Sequence, residues 1–181
     1  MSAARLIVED TSLSGVKLVT PQIFEDFRGE NLELYNTAQY HGHGIGLDFV
    51  QDNISVSTRH VLRGIHGDTV TWKLVSCLYG KIYLLAVNYD ETSPEFGKWT
   101  SFTLSDQTRQ QVLIPPKFGN GHLVLSDKAV FHYKLSSYYD GASQFSIAFD
   151  DPRFDFWWPV KNPLRSRRDE EAKTIFTGKN Q

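Results

Sequence analysis

A chain of 181 residues, 40% hydrophobic and 22% charged, has the make-up of one soluble globular domain large enough to bury a core. Its net charge of −2 offers no bulk electrostatic case for a nucleic-acid or membrane partner, and its one cysteine, Cys77, excludes an internal disulfide framework and fits a reducing compartment. No apolar run approaches the roughly 20 residues of a membrane helix, and the start at Met1 lacks the pattern of a secretory signal, so the expectation is one cytoplasmic domain over residues 1–181.

In chain order, β-type runs separated by turn residues fall at Val16–Thr20, Leu47–Ser55, Lys73–Tyr79, Lys81–Asn88, Lys98–Leu104, Gln110–Ile114, His122–Leu125, Ala129–Ser136 and Phe145–Phe149. Gly80 alone separates two of them, which predicts a tight hairpin. Both faces of Leu74–Tyr79 and Ile82–Val87 are largely apolar, so these strands need cover on two sides, from a facing sheet and from a further layer such as a second subunit. Helix is scarce: one short turn at Asn36–Tyr40, and a capped C-terminal helix from Ser166 through Lys173. The aromatic stretch Asp150–Asn162, with Trp157-Trp158-Pro159, predicts a segment that packs back on the body. Many short strands in one domain favour an all-β jelly-roll with short peripheral helices.

The residues that carry chemistry have two readings each. His41 and His43 lie in a glycine-rich loop without further ligands, so a solvated loop is favoured over a metal site. His66 ends a strand in Arg63-Gly64-Ile65-His66-Gly67-Asp68, where an imidazole serves either structure or acid–base chemistry. Regular alternation puts Arg63 and His66 on opposite faces, unless Gly64 hosts a bulge. Period two turns Phe131, Tyr133 and Leu135 to one face, making Tyr133 a core tyrosine or a buried donor. Asp169, three residues after Ser166, fits a helix capping box, and equally a carboxylate that orients a histidine. The stretch from Ile114 to His122 reads as a strand followed by a rigid turn, with Asn120 either a turn residue or a sugar contact.

Ordered motifs run from about Gly15 to about Asp169: Asp26-Phe27-Arg28-Gly29 with Glu33, Phe49-Val50-Gln51-Asp52-Asn53 with Ser55, and Val61-Leu62-Arg63-Gly64-Ile65-His66. Beyond these come Lys73-Leu74-Val75, Ser93-Pro94 with Phe96-Gly97 and Trp99, Ile114-Pro115-Pro116 with Phe118, Tyr133-Lys134, Tyr138-Tyr139 and Trp158-Pro159. Together they resemble the dTDP-4-dehydrorhamnose 3,5-epimerase family, whose members are cupin-type jelly-rolls (double-stranded β-helices). The resemblance implies a nucleotide-sugar substrate, no cofactor, and a homodimer in which residues of the N-terminal arm can come from the other subunit. It implies His66 as general base, Asp169 as its partner, Tyr133 as the acid, and Arg28, Glu33, Gln51, Asn53, Arg63 and Lys73 as nucleotide and phosphate contacts. On that reading Lys73 stabilises an enolate oxygen, assisted by Asn120, and Arg63 with Arg28 grips the diphosphate.

Two departures from the family pattern stand out. His66 is followed by Gly67-Asp68 and a shortened loop, and Asn120 occupies the place of a pocket histidine. Both resemble a subgroup acting on GDP-linked 4-keto-6-deoxy-heptoses for capsule or lipopolysaccharide sugars, with dTDP-4-dehydrorhamnose as the alternative substrate. A metal-dependent cupin and a non-catalytic sugar-binding jelly-roll are the competing classes. The first lacks a close histidine partner for His66, and the second needs no acid–base set.

Overall fold

The computed structural model describes residues 5–172. Strands β1 (Ile7–Asp10) and β2 (Lys17–Thr20) open the chain, followed by a hairpin, β3 (Ile23–Asp26) and β4 (Gly29–Leu32). Helix α1 (Thr37–Gly42) starts where the Asn36 side chain accepts from the Gln39 N–H at 3.3 Å. The remaining strands are β5 (Gln51–Thr58), β6 (Leu62–Gly67), β7 (Lys73–Tyr79), β8 (Lys81–Asn88), β9 (Trp99–Ser105), β10 (Gln111–Ile114), β11 (Phe118–Val124), β12 (Lys128–Leu135) and β13 (Phe145–Ser146). Helix α2 (Arg167–Glu170) is the expected capped element, reduced to a single turn, and Lys173 lies outside the described residues.

Two antiparallel sheets form the body. One has six strands in the order β1-β2-β10-β7-β12-β5, the other five in the order β13-β6-β11-β8-β9. This is the all-β cupin-type jelly-roll the sequence predicts. Alternation along β8 serves two cores at once. Ile82, Leu84 and Ala86 join Val75, Cys77, Val112 and Phe131 between the sheets, whereas Tyr83, Leu85 and Val87 turn outward.

The chain supplies the second cover itself. Ile147, Phe149, Phe154, Phe156 and Trp158 lie over the outer face of the five-stranded sheet. Their polar atoms are tied down as well: the Tyr83 hydroxyl donates to the Trp157 carbonyl at 2.8 Å, and Trp158 Nε1 to the Phe149 carbonyl at 2.8 Å. On the six-stranded sheet, Tyr40 and Ile45 cover Leu74 and Leu113. The two-sided cover that the sequence predicts is present, and at these places the further layer comes from the chain's own segments.

Two turns differ from expectation. β7 and β8 belong to different sheets, so Gly80 turns a corner between layers and makes no hairpin. Its φ is +79°, and a Cβ there would sit 2.2 Å from the Lys128 carbonyl oxygen. Alternating hydrophobicity cannot reveal such a corner, because both strands stay apolar through it. The rigid turn predicted after Ile114 is confined to Pro116–Lys117, and from Phe118 the segment is strand β11, threaded between β6 and β8. Its glycines let three backbones approach closely; a Cβ on Gly119 would meet Ile65 Cγ2 at 2.7 Å.

Gly80→Ala is therefore expected to destabilise the fold by about 2–4 kcal/mol, from left-handed backbone strain plus the backbone clash. Urea unfolding checks this; a midpoint equal to that of the unsubstituted chain would remove the corner's requirement for glycine.

Candidate active site

The cavity opens between the sheets and has a volume of about 420 Å³. Its walls include Gln51, Asn53, Arg63, His66, Lys73, Asn120 and Tyr133, all singled out from the sequence. Each owes its place to strand alternation. Gln51, Asn53 and Ser55 share the inward face of β5, Lys73 and Val75 that of β7, and Phe131, Tyr133 and Leu135 that of β12. On β6 the alternation is broken. Asn120 pairs with His66 and His122 with Arg63, so two steps along β11 match three along β6. That extra residue is a bulge, and it brings Arg63 and His66 to the same wall. Gly64 makes it possible: its φ is +110°, and a Cβ would lie 2.6 Å from the Asn120 carbonyl oxygen.

His66 Nε2 donates to Asp169 Oδ1 at 2.6 Å, the length of a charge-assisted hydrogen bond. The carboxylate is 5% exposed, and its other oxygen accepts from the Ser166 hydroxyl at 2.9 Å. The Asp169 N–H in turn donates to Ser166 Oγ at 3.2 Å. Ser166 thus caps α2 through the Asp169 N–H while the Asp169 carboxylate holds His66; the two readings are one structure. Burial acts to raise its carboxyl pKa, but the hydrogen bonds from His66, Ser166 and the Gly64 backbone prevail and hold it below the usual value. An ionised carboxylate only accepts, so the hydrogen is assigned to Nε2 and the lone pair to Nδ1.

Lys73 is 9% exposed; its ammonium donates to Asn120 Oδ1 at 3.2 Å and to the His66 carbonyl at 3.3 Å. Burial pulls its pKa down to about 8, with Asp68 opposing. Asp68 is a buried carboxylate that accepts from the Val70 and Thr71 N–H groups and from Gln144 Nε2. Tyr133 stands on the sheet opposite His66, across the cavity. Burial raises its phenol pKa, with a hydrogen bond to Asn53 acting the other way, so it is a neutral proton donor at pH 7.

Arg28 and Glu33 do not reach this cavity. They lie at the β3–β4 hairpin and just beyond it, and the hairpin pairs with neither large sheet. Arg28 is bound to Asp26 with its side chain 76% exposed, and Glu33 accepts from Asn36 and Gln39. Several other lining residues carry no site role in the sequence reading: Ser55, Asp68 and Tyr139, which it quotes only within motifs, and Thr71, His122 and Gln144. His122 had one available signal, its place two residues after Asn120 on what proves to be a strand. Among the described residues, no cluster of three or more His, Cys, Asp and Glu side chains is placed to hold a metal ion, and no helix is long and apolar enough to cross a membrane.

Residues 10–176 match the family described as dTDP-4-dehydrorhamnose 3,5-epimerase. The chain belongs to that family. It is accordingly an isomerase that acts on a nucleotide sugar. This epimerase is 38% identical to the dTDP-4-dehydrorhamnose 3,5-epimerase of Shigella flexneri over 163 residues, covering 88% of this chain and 90% of the relative. Among solved structures, the epimerase of Legionella pneumophila in complex with dTDP-4-keto-L-rhamnose superposes with a TM-score of 0.89 at 37% identity, covering 93% of this chain and 92% of the other. A 3'-monoepimerase from Streptomyces bikiniensis in complex with dTDP-quinovose gives 0.85 at 30% identity, covering 91% and 85%. These relatives are named for dTDP sugars, so the expected GDP-heptose subgroup has less support than its alternative.

A buried lysine whose pKa has fallen from 10.5 to about 8 burdens the fold while charged. Between those pH values the unfolded chain binds the extra proton, so stability rises with pH across that window, and below about 8 the full cost applies. Lys73→Met is expected to stabilise the fold at pH 7 by about 3 kcal/mol before any loss of hydrogen bonds. The gain should fade as pH climbs toward 10.5. Thermal unfolding at several pH values decides; a stability difference between variant and unsubstituted chain that stays flat from pH 8 to 10.5 would contradict this account of the site.

Proposed function

We propose that this epimerase inverts carbon centres beside the keto group of a dTDP-linked 4-keto-6-deoxy hexose. The observation that carries the reading is the Asp169–His66 couple facing the neutral Tyr133 phenol across a cavity that also holds a buried lysine. A hydrogen beside a ketone is only weakly acidic, so the site must supply a positioned base and a stabiliser for the oxygen on which charge develops. His66 Nδ1 takes the hydrogen at C3 or C5. Asp169 balances the imidazolium that results. Lys73 and the Asn120 amide receive the enolate oxygen, and Tyr133 returns a proton from the opposite face. Arg63, whose Nε donates to Ser57 Oγ at 3.0 Å, keeps its terminal nitrogens for the diphosphate.

The dTDP assignment follows the relatives. The homodimer rests on the same resemblance and on the hairpin: Phe27 at its tip is 97% exposed. Arg28 and Glu33 contact substrate only if the hairpin serves the cavity of a second copy.

Incubated with the dTDP-linked 4-keto sugar in deuterated water, the chain should place deuterium at C3 and C5, and His66→Asn should lower turnover by about 10²–10⁴-fold with the fold retained. Exchange with neither a dTDP- nor a GDP-linked substrate would overturn the function, and near-normal rates in the variant would remove His66 as the base. In a thermal-shift comparison, dTDP should raise the melting temperature more than GDP at equal concentration, since binding to the native state stabilises it by mass action. The reverse order would restore the guanosine-linked heptose.

A further inference from the structure

The inner face of β11 carries His122 one alternation beyond Asn120. Asn120 stands opposite His66, and His122 opposite Arg63. The His122 ring lies flat on Phe131, with centroids 4.0 Å apart and planes 21° apart, and it is 4% exposed. Its Nε2 has no hydrogen-bond partner among the described residues, and neither has the hydroxyl of Ser55, which lines the same cavity from β5. Burial, with Arg63 and His66 acting in the same direction, pushes the His122 pKa down to about 3, so the ring is neutral. Burying an unsatisfied polar atom costs free energy in the empty protein. Two such atoms in one cavity mark a place where a ligand's polar group restores what burial removes.

We propose that His122 and Ser55 form a substrate-binding pair that holds an oxygen on the C1–C2 side of the sugar. This rests on the epimerase reading above. With the reacting carbons at the level of His66 and Asn120, and the diphosphate at Arg63, the stretch of substrate between them passes His122. A neutral imidazole suits that position, because it hydrogen-bonds a hydroxyl or linkage oxygen without adding a second cation beside Arg63. Stacking on Phe131 fixes the ring plane, so the nitrogen is aimed before substrate arrives.

The test compares His122→Phe, His122→Gln and Ser55→Ala with the unsubstituted chain. Solvent-deuterium exchange yields kcat and KM for the 4-keto sugar nucleotide, and calorimetry yields the affinity for dTDP and GDP alone. His122→Phe keeps the ring but removes both nitrogens. It should raise KM by about tenfold while leaving nucleoside diphosphate affinity within about twofold, since those probes lack the sugar. Ser55→Ala should shift KM in the same sense, and His122→Gln should recover part of the loss. Should the phenylalanine variant not fold, the serine and glutamine variants carry the test. Unchanged KM in both His122→Phe and Ser55→Ala would overturn the proposal, as would parallel loss of affinity for the bare nucleotide, the mark of a wall that has merely shifted. Absence of exchange in the unsubstituted chain would strike the epimerase reading instead.

Discussion

One hydrogen bond governs the site: that between His66 and Asp169, at 2.6 Å. It sets which imidazole nitrogen keeps its hydrogen, and it does so with a carboxylate that burial alone would tend to neutralise. That carboxylate stays ionised because Ser166, Gly64 and His66 all donate to it. The capping of a one-turn helix and the fixing of the His66 imidazole are therefore one arrangement. Breaking the cap would loosen the histidine as well.

The jelly-roll surrounds this couple with an environment that shifts several ionisable groups in useful directions. Lys73 is easier to deprotonate and Tyr133 harder, and His122 is kept from charging at all. The common cause is the desolvated space between two sheets, whose outer faces the chain covers with its own aromatic and N-terminal segments. Low dielectric strengthens each remaining interaction and penalises each unpaired one. That explains how a cavity with few charges can still be strongly polarising.

Much of this was legible in the residues, and the failures have physical reasons. Alternation along β12 puts Tyr133 on the cavity face, because a half-buried strand prints its two faces into the sequence, whereas Lys73 comes only from the family resemblance. Gly64 announced a possible bulge, though only the pairing of β6 with β11 shows Arg63 and His66 on one wall. The glycines flanking Asn120 were misread as a turn; in truth they keep a central strand thin enough to lie between close neighbours. Gly80 was misread because a corner between sheets and a hairpin share one local signature. Arg28 and Glu33 rest on family resemblance, which lets residues of the N-terminal arm come from the other subunit, and within one chain they lie away from the cavity. His122 escaped notice because its significance depends on an unpaired nitrogen, a property of packing that no motif carries.

The distance along the chain between the two members of the couple has a consequence of its own. His66 and Asp169 are separated by 103 positions, and β7 through β13 all lie between them. Every strand of both sheets is encoded before the aspartate. The histidine gains its carboxylate only where the last turn of helix docks against β6. A chain cut short before that turn would keep every strand and lose the partner that fixes its imidazole.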